Sequence, residues 1–476
     1  MVIKCLIMKV KIKKLLFAAV LCSLLASAAF ADLAKQINAI INQASQEKVQ
    51  FGVSILEAES GRTLYSYNAE KPMVPASNMK IITTAAALEY LGPDYEYKTK
   101  VDVCDDTLVV TGSGDPLFAD KVTDAKYNRK KGWIFEDIAE KLNEKGITTI
   151  KDIIVDSSIF DDQRVHMDWP RQQLNQWYAC EVSGLNFNDN YIEVTVENVG
   201  GKIVIVTEPE TNFVKITNKV RPISKGSGAV EAYRLQGKPN HIIIKGKCRR
   251  KQGPFLVAIE RPAAFFGFVL AENLAKRGII TKGRLLEKPA GADCKPKMLT
   301  EYSTPIEDCL VRCNKDSFGL AAEALLKTMA ANVSADKKNG SWAGGQEIIR
   351  KYLLGLGIKG EEFNIGDGSG LSRQNKLSAN AITQVLLIVY KSKNWQLYKN
   401  SLAVGGIDGT IYKYFKEEKY KGKIYGKTGY INKVKSFSGL CSTERGDYIF
   451  SILTNNTNGL TRGAINDIAE AIIDNQ

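Results

Sequence analysis

The sequence predicts an α/β protein in which one unit is divided by a mostly β insertion. Three observations along its 476 residues support this prediction. Helical and strand-like segments mix up to about residue 100, short β-rich runs dominate from about 101 to 297, and helices return after 298. Hydrophobic residues make up 44% of the chain and charged residues 25%, which is typical of globular proteins.

The first 31 residues have the pattern of a secretory signal peptide. Five lysines without an acidic residue precede the apolar run LLFAAVLCSLLASAAF, and Ala29-Phe30-Ala31 place small residues before Asp32. An uncleaved anchor is the alternative. We expect an exported protein, periplasmic or extracytoplasmic, that is cleaved after Ala31 and associates with a membrane at most peripherally.

Local patterns predict the elements that follow. Residues 33–47 form a first helix, and the segment QFGVSILEAESGRTLYSYN forms a hairpin that turns at Glu59-Ser60-Gly61. The segment SNMKIITTAAALEYLG is predicted as a helix that ends at Gly92. The β-rich runs of the insertion are TLVVTG, IKDIIVD, YIEVTVENV, KIVIVTE and HIIIKGK, with a helical stretch near 133–145.

Helical patterns dominate the last third of the chain. They are LAAEALLKTMAAN, GGQEIIRKYLLGLG and SANAITQVLLIVYKS. The chain then ends in two predicted strands, SFSGLCS and DYIFSILTNN, and a last helix.

The net charge of +13 falls to +8 when the five leader lysines are removed. This charge favours an anionic neighbour such as cell-wall polymer or lipid head groups, with a generally basic surface as the alternative. The sequence has no basic stretch interleaved with aromatic residues, so it does not indicate a nucleic-acid partner.

Cysteine and histidine usage narrows the chemistry. Seven of the nine cysteines follow the leader, show no C-x-x-C pair, and are mostly expected to be buried, with Cys309 and Cys313 on one helical face. Only two histidines occur, His166 and His241, and neither lies in a recognisable motif. A general base for nucleophilic chemistry is therefore expected to be another residue type.

Ser77-Asn78-Met79-Lys80 is an S-x-x-K pattern that opens an apolar helix. Residues three apart share a helix face, so the hydroxyl of Ser77 and the amine of Lys80 can meet in a partly desolvated place. Desolvation lowers the pKa of an ammonium group and would make Lys80 a base. The alternative is an ordinary N-cap serine with a surface lysine. Two other S-x-x-K matches, at 45–48 and 334–337, lie in polar stretches at helix ends.

Lys427-Thr428-Gly429 lies in a stretch with a β-like pattern. Lys427 offers a cation, Thr428 offers a hydroxyl, and Gly429 leaves room for a substrate backbone along a strand edge. A phosphate-binding loop is excluded because position 421, where that loop needs Gly, is Lys. A solvent-exposed turn is the alternative.

Together the two motifs resemble those of the penicillin-binding proteins and serine β-lactamases. The segments PASNMKIITTAAALEYLGPDYEYKT, TGSGDPLF, GLNFNDNYIEVTV and GDGSGLSR are similar to those of class C low-molecular-mass penicillin-binding proteins of the penicillin-binding protein 4 type. The resemblance covers nearly the whole chain after the leader. It implies a serine β-lactamase/transpeptidase-like domain, in which helices flank an antiparallel sheet, and it implies no metal or organic cofactor.

The resemblance also divides the chain into domains. The catalytic domain is predicted at 32–100 and 298–476, after the signal peptide at 1–31. An inserted β-rich domain is predicted at 101–117 and 179–297, and a second inserted subdomain at 118–178.

The family's second motif, S-x-N, falls at Ser317-Phe318-Gly319, 240 residues after Ser77. Ser317 is present, but Gly319 replaces the expected Asn, whose carboxamide would bond both the catalytic lysine and the substrate. The loss of one such preorganised donor costs on the order of a hundredfold in rate. Tyr430 is a second departure, because the family usually carries Thr or Ser after K-T-G.

The resemblance implies a serine D-alanyl-D-alanine carboxypeptidase/endopeptidase that acts on peptidoglycan stem peptides. Ser77 is the expected nucleophile, Lys80 the base and Ser317 the proton relay, while Lys427, Thr428, Gly429 and Tyr430 bind substrate. β-Lactams are expected to acylate Ser77. A degenerate member that binds wall peptide or a partner with little turnover is one alternative, and an esterase or aminopeptidase is another.

Overall fold

The structure is a computed structural model that describes residues 32–291, 295–333 and 339–475. The predicted signal peptide and the S-x-x-K match at 334–337 lie outside this part of the chain. Its α-helices are α1 (32–41), α2 (Met79–Leu91), α3 (Lys121–Lys126), α4 (Trp133–Glu144), α5 (Pro262–Lys276), α6 (Ile306–Asn314), α7 (Gly319–Val333), α8 (Trp342–Gly355), α9 (Ala379–Tyr390), α10 (Trp395–Ser401) and α11 (Thr461–Asp474).

The strands are also numbered in chain order. They are β1 (Gln50–Glu57), β2 (Thr63–Tyr67), β3 (Glu96–Cys104), β4 (Thr107–Thr111), β5 (Thr149–Ile150), β6 (Ile153–Asp156), β7 (Tyr191–Val199), β8 (Lys202–Glu208), β9 (Lys215–Pro222), β10 (Ala229–Arg234), β11 (His241–Cys248), β12 (Lys251–Ala258), β13 (Ile280–Thr281), β14 (Leu285–Glu287), β15 (Lys297–Pro305), β16 (Phe363–Asn364), β17 (Lys376–Leu377), β18 (Ala403–Val404), β19 (Ile424–Ile431), β20 (Val434–Thr443) and β21 (Gly446–Asn455).

The largest sheet is antiparallel and has the order β18-β19-β20-β21-β1-β2. Side chains of β21 alternate between two cores, because successive residues of a strand point to opposite faces. Phe450 and Ile452 pack with α1 and α11, while Ile449 and Leu453 pack with α2, α7, α8 and α9. This sandwich of helices on both sides of an antiparallel sheet confirms the predicted fold class.

Helix α2 lies at the centre of the helical layer. All of its residues from 79 to 88 are buried, and Gly92 follows it with φ +84°, as the sequence predicted for the helix end. The predicted first helix is shorter than expected: it ends at 41, and only a 3₁₀ turn at Ala44–Gln46 follows. The predicted hairpin is present as β1 and β2.

The inserted region contains a five-stranded sheet of order β14-β6-β4-β3-β15 and two three-stranded sheets, β12-β7-β8 and β10-β11-β9. The predicted β-rich runs correspond to β4, β6, β7, β8 and β11, and the helical stretch to α4. Helix α5 was not predicted. It is apolar on most sides and packs against β6 and β14, so no polar stripe marks its helical period.

The five-stranded sheet combines strands from both segments that the sequence assigned to inserted domains. Strand β6 lies in the predicted 118–178 subdomain, yet it pairs with β4 and β14. The division of the insertion at residues 118 and 178 therefore remains a prediction.

Buried cysteines agree with the sequence prediction. Cys180, Cys248, Cys309, Cys313 and Cys441 are free and buried, and Cys309 and Cys313 both lie in α6. Within residues 32–291, 295–333 and 339–475, every helix is too short or too polar to cross a membrane.

Candidate active site

The first motif begins at a tight turn before α2. Residues Ala76–Asn78 form a 3₁₀ turn that carries Ser77. The Asn78 side chain fixes this turn to strand β20, because its Nδ2 donates to Ser438 Oγ (2.5 Å) and its Oδ1 accepts from Ser436 Oγ (2.7 Å). The hydroxyl of Ser77 is thereby placed at the N-terminus of a buried helix, where the helix dipole favours developing negative charge.

Lys80 lies beneath Ser77 and is only 2% exposed, so the alternative of a surface lysine is wrong. Its Nζ lies 3.2 Å from Ser77 Oγ and donates to the carbonyl oxygen of Ser369 at 2.7 Å. Burial lowers the pKa of Lys80, because the charged ammonium is poorly solvated there. The S-x-x-K pattern therefore brings a hydroxyl into contact with an amine that loses its proton more easily than an exposed lysine.

Lys427 lies on β19 and is fully buried, so the alternative of an exposed turn is also wrong. Its Nζ donates to Ser317 Oγ at 2.8 Å and to the carbonyl oxygen of Thr428 at 2.7 Å. Burial, and then the charge of Lys80, lower its pKa well below the usual range. Thr428 Oγ1 is held by Thr410 Oγ1 at 2.8 Å.

Gly429 is required by the close approach of β19 to the Ser77 turn. A Cβ atom at this position would lie 2.1 Å from Ser436 Oγ, 2.8 Å from Pro75 O and 3.0 Å from Ser77 N. Any side chain would therefore displace the turn that carries the nucleophile. The sequence assigned Gly429 to substrate binding, and its tight contacts add a second reason for glycine.

The second motif joins α6 to α7. Ser317 has φ +61°, a left-handed conformation that few L-residues adopt, and Gly319 is the first residue of α7. A Cβ at Gly319 would lie 3.0 Å from Tyr178 O and 3.9 Å from Ser369 Cβ. The space beside this position is thus bounded by the backbone of the 3₁₀ turn Trp177–Ala179, which belongs to the insertion.

Tyr430 stands at the exposed end of the third motif. Its side chain is 69% exposed, which separates its hydroxyl from the buried lysines. The neighbouring cation is Arg462 of α11, whose Nη2 donates to Gly429 O at 3.3 Å. Burial lowers the pKa of Arg462.

Several residues of the site were not identified from the sequence. The carbonyl of Ser369, the carboxylate of Glu323, the hydroxyl of Thr410 and the carbonyl of Tyr178 are among them. The segment GDGSGLSR, residues 366–373, was noted only as part of a resemblance. Its three glycines between two helices indicated a close approach of backbone, which is the signal that could have found Ser369.

Neither histidine takes part in this cluster, and no group of three or more His, Cys, Asp or Glu in the described ranges could hold a metal ion. A cavity of about 670 Å³ lies in the insertion, away from the three motifs. Most of the charged residues that line it are paired with each other, as Lys121 is with Glu193 and Lys131 with Glu208. The cluster around Ser77 is therefore the candidate active site.

Comparison with known proteins agrees with this geometry. Residues 33–475 match the model of the D-Ala-D-Ala carboxypeptidase 3 (S13) family. A D-alanyl-D-alanine carboxypeptidase of Actinomadura sp. (strain R39) is 26% identical over 464 residues, which cover 92% of this chain and 83% of that protein.

Solved structures show the same fold. Penicillin-binding protein 4 of Haemophilus influenzae superposes with a TM-score of 0.75 at 21% identity, over 94% of this chain and 98% of that one. Its complex with a β-lactam gives 0.71 at 21% identity, with the same coverage of both chains. A predatory peptidoglycan endopeptidase of Bdellovibrio bacteriovorus gives 0.52 at 16% identity, over 90% of this chain and 93% of that one.

Proposed function

Because this chain belongs to the D-Ala-D-Ala carboxypeptidase 3 (S13) family, we propose that Ser77 is the nucleophile and Lys80 the base of a serine D,D-peptidase. The enzyme is a serine-type D-Ala-D-Ala carboxypeptidase/endopeptidase, and its substrates are D-alanyl bonds of peptidoglycan stem peptides. One observation carries the assignment of residues. Ser77 pairs with Lys80 at 3.2 Å, Ser317 pairs with Lys427 at 2.8 Å, and the two lysines are close enough for the charge of Lys80 to lower the pKa of Lys427.

Acylation follows from these contacts. The neutral amine of Lys80 takes the proton of Ser77 as its Oγ attacks the carbonyl carbon of the penultimate D-alanine. The resulting oxyanion is bound by the backbone N–H groups of Ser77 and Tyr430. Ser317 relays a proton to the leaving amine, which departs as D-alanine or as the amine side of a cross-link.

Deacylation needs one water molecule, which attacks the ester carbon and returns Ser77 to its free form. Lys427 and Thr428 hold the carboxylate side of the substrate, because a bound carboxylate favours the protonated form of Lys427 and can accept from both side chains. β-Lactams present the same carbonyl and carboxylate, so they acylate Ser77 and inhibit the enzyme. Two titratable lysines and a relay serine supply the proton transfers.

We place this chemistry outside the cytoplasm. The family acts on cell wall, and the leader at 1–31 supports export with cleavage after Ala31, so a periplasmic protein is the proposal. The partners are stem peptides and β-lactams, with at most peripheral contact to a membrane.

A second candidate function is peptide binding with little turnover. Gly319 favours it, since the carboxamide that would bond the acyl side of the substrate is missing. The two functions differ in product release from a synthetic stem pentapeptide that ends in D-Ala-D-Ala. We expect D-alanine release by the wild type and none by Ser77→Ala; peptide binding without release by the wild type would contradict hydrolysis and support the second function.

A further inference from the structure

The carbonyl oxygen of Ser369 is a hydrogen-bond acceptor for the lysine of the first motif, and the Ser369 side chain lies beside Gly319. It accepts the hydrogen bond of Lys80 Nζ at 2.7 Å, shorter than the 3.2 Å contact of Lys80 with Ser77 Oγ. Both partners are buried. A Cβ atom at Gly319 would lie 3.0 Å from Tyr178 O, so an asparagine there would require the Tyr178 carbonyl to shift slightly.

The Ser369 carbonyl is held in place by Glu323, which lies one turn after Gly319 on α7. Glu323 Oε1 accepts from Ser369 N at 2.8 Å, and Oε2 accepts from Gly368 N at 3.0 Å and from Trp342 Nε1 at 2.8 Å. Glu323 is 1% exposed and has no ion-pair partner within the described part of the chain. A buried carboxylate with three donors is a strong anchor for the backbone it binds.

We propose that Glu323 is a positioning residue of the active site: it fixes residues 368 and 369 so that the Ser369 carbonyl orients Lys80 in place of the carboxamide that Gly319 lacks. The proposal rests on the proposed function. It assigns no contact between Glu323 and substrate.

The orientation argument concerns the lone pair of the neutral amine. A carbonyl oxygen can only accept, so it must face an N–H of Lys80 and never its lone pair. With one N–H directed to the Ser369 carbonyl, the lone pair of Lys80 is free to face the hydroxyl of Ser77. This is the hydroxyl whose proton Lys80 must accept. A carboxamide oxygen from the usual asparagine would impose the same constraint.

Charge gives Glu323 a second effect on Lys80. The groups that face Lys80 are Cys313 from α6, Glu323 from α7, Asp367 from the loop between β16 and β17, and Lys427 from β19. Burial has the largest effect on the pKa of Lys80 and lowers it. The carboxylate of Glu323 acts in the opposite direction and raises this pKa by a smaller amount. Burial and the neighbouring Asp367 raise the pKa of Glu323 itself to about 7, and Lys327 faces it from the same helix.

The test is the acylation rate of the purified enzyme by a chromogenic β-lactam, measured against pH for Glu323→Gln. The variant keeps the size of the side chain but presents an amide N–H₂ to one of the backbone donors. We expect the limiting rate to fall about 10- to 100-fold, as misplacement of catalytic groups commonly does. We also expect the acid limb to move to lower pH, because a negative charge that favours protonated Lys80 is gone. A purely structural defect would not move this limb.

Two further variants keep the test decisive if Glu323→Gln folds poorly. Trp342→Phe removes one donor to Glu323 while the carboxylate stays, and we expect a smaller loss of acylation rate, of more than twofold. Thr328→Val is the matched control, because Thr328 is buried on the same helix and has no hydrogen bond to Lys80 or Ser369. Its rate and pH profile should stay within twofold of wild type, and thermal melts report on folding for all variants.

The outcomes separate this proposal from the proposed function. Wild type that is acylated at Ser77, with unchanged rates and pH limbs in Trp342→Phe and in folded Glu323→Gln, overturns the role of Glu323 alone. Wild type that is not acylated overturns the proposed function, and the role of Glu323 with it.

Discussion

The Nζ atom of Lys427 lies 2.8 Å from the Oγ atom of Ser317, although 110 residues separate them in the chain. Ser317 adopts φ +61°, and this conformation turns its side chain toward β19. The contact joins the second motif, at the start of α7, to the edge of the sheet beside Ser77. The Ser317–Lys427 pair is thereby placed on the same side of the sheet as the Ser77–Lys80 pair, where the proposed proton transfer to a leaving group takes place.

Ser317→Ala is expected to slow β-lactam acylation by about a hundredfold, because the relay hydroxyl and the acceptor of Lys427 are both removed. The loss of one hydrogen bond should lower the free energy of unfolding by only about 1 kcal/mol. Stopped-flow acylation and thermal melts measure the two effects. An acylation rate within threefold of wild type would show that Ser317 is not the relay.

Gly429→Ala is expected to impair both stability and catalysis. The new methyl group would lie 2.1 Å from Ser436 Oγ and 3.0 Å from Ser77 N, so the strand and the nucleophile turn must separate. Overpacking of this kind costs about 1–3 kcal/mol, and displacement of Ser77 should slow acylation by about a hundredfold.

The matched control for that variant is Gly463→Ala on the exposed face of α11, where an added Cβ meets nothing within 4 Å. It should leave acylation unchanged and stabilise the helix by up to about 1 kcal/mol. Equal acylation rates for Gly429→Ala and Gly463→Ala would contradict the close packing of β19 against Ser77.

The pH dependence of acylation should report the lowered pKa of Lys80. Burial disfavours its ammonium form, so the neutral base forms below the 10.5 of an exposed lysine. Acylation is then lost as pH falls through this lowered pKa and reaches its plateau before 10.5. The unfolded chain binds this proton more tightly than the folded one, so the same group destabilises the fold at neutral pH, and that effect disappears as pH rises toward 10.5. A rate that still rises beyond pH 10.5 would contradict a buried, neutral base.

Tyr430→Thr is expected to shift the enzyme toward carboxypeptidase activity. The Tyr430 side chain is 69% exposed, so its hydroxyl lies outward from the place where a terminal carboxylate would bind beside Lys427. A hydroxyl close to the backbone should lower KM for a peptide ending in free D-alanine by about tenfold, the effect of one hydrogen bond to a charged group. Tyr430→Ala is the control that removes the ring without adding a hydroxyl. The same ratio of carboxypeptidase to endopeptidase turnover in all three proteins would refute this role.

Much of the candidate active site was predictable because short motifs encode it. The three-residue spacing of Ser77 and Lys80 already places them on one helix face, and Lys421 already excludes a phosphate-binding loop at Lys427. The order of helices and strands also predicted an α/β unit divided by a mostly β insertion, and the family resemblance implied the antiparallel sheet with its flanking helices. These features depend on local sequence patterns, which can be recognised without knowledge of the tertiary structure.

Other features depend on contacts between distant segments, and no local sequence pattern predicts them. The bond from Lys80 to the Ser369 carbonyl joins residues 289 apart and uses backbone atoms, which every residue has. Glu323 lies in an ordinary helical pattern, so the sequence did not predict its burial beneath the loop that contains Gly368 and Ser369. Helix α5 was missed because an almost uniformly apolar helix lacks the polar face that reveals helical periodicity.

The most direct test of the account is to locate a β-lactam adduct on the intact protein by mass spectrometry and peptide mapping. After incubation with benzylpenicillin, wild type should gain the mass of one ring-opened drug molecule, and the mapped adduct should lie on Ser77. Ser77→Ala, with an unchanged thermal melt, should gain none. An adduct on another residue, or equal labelling of Ser77→Ala, would contradict the assignment of Ser77 as the acylated nucleophile.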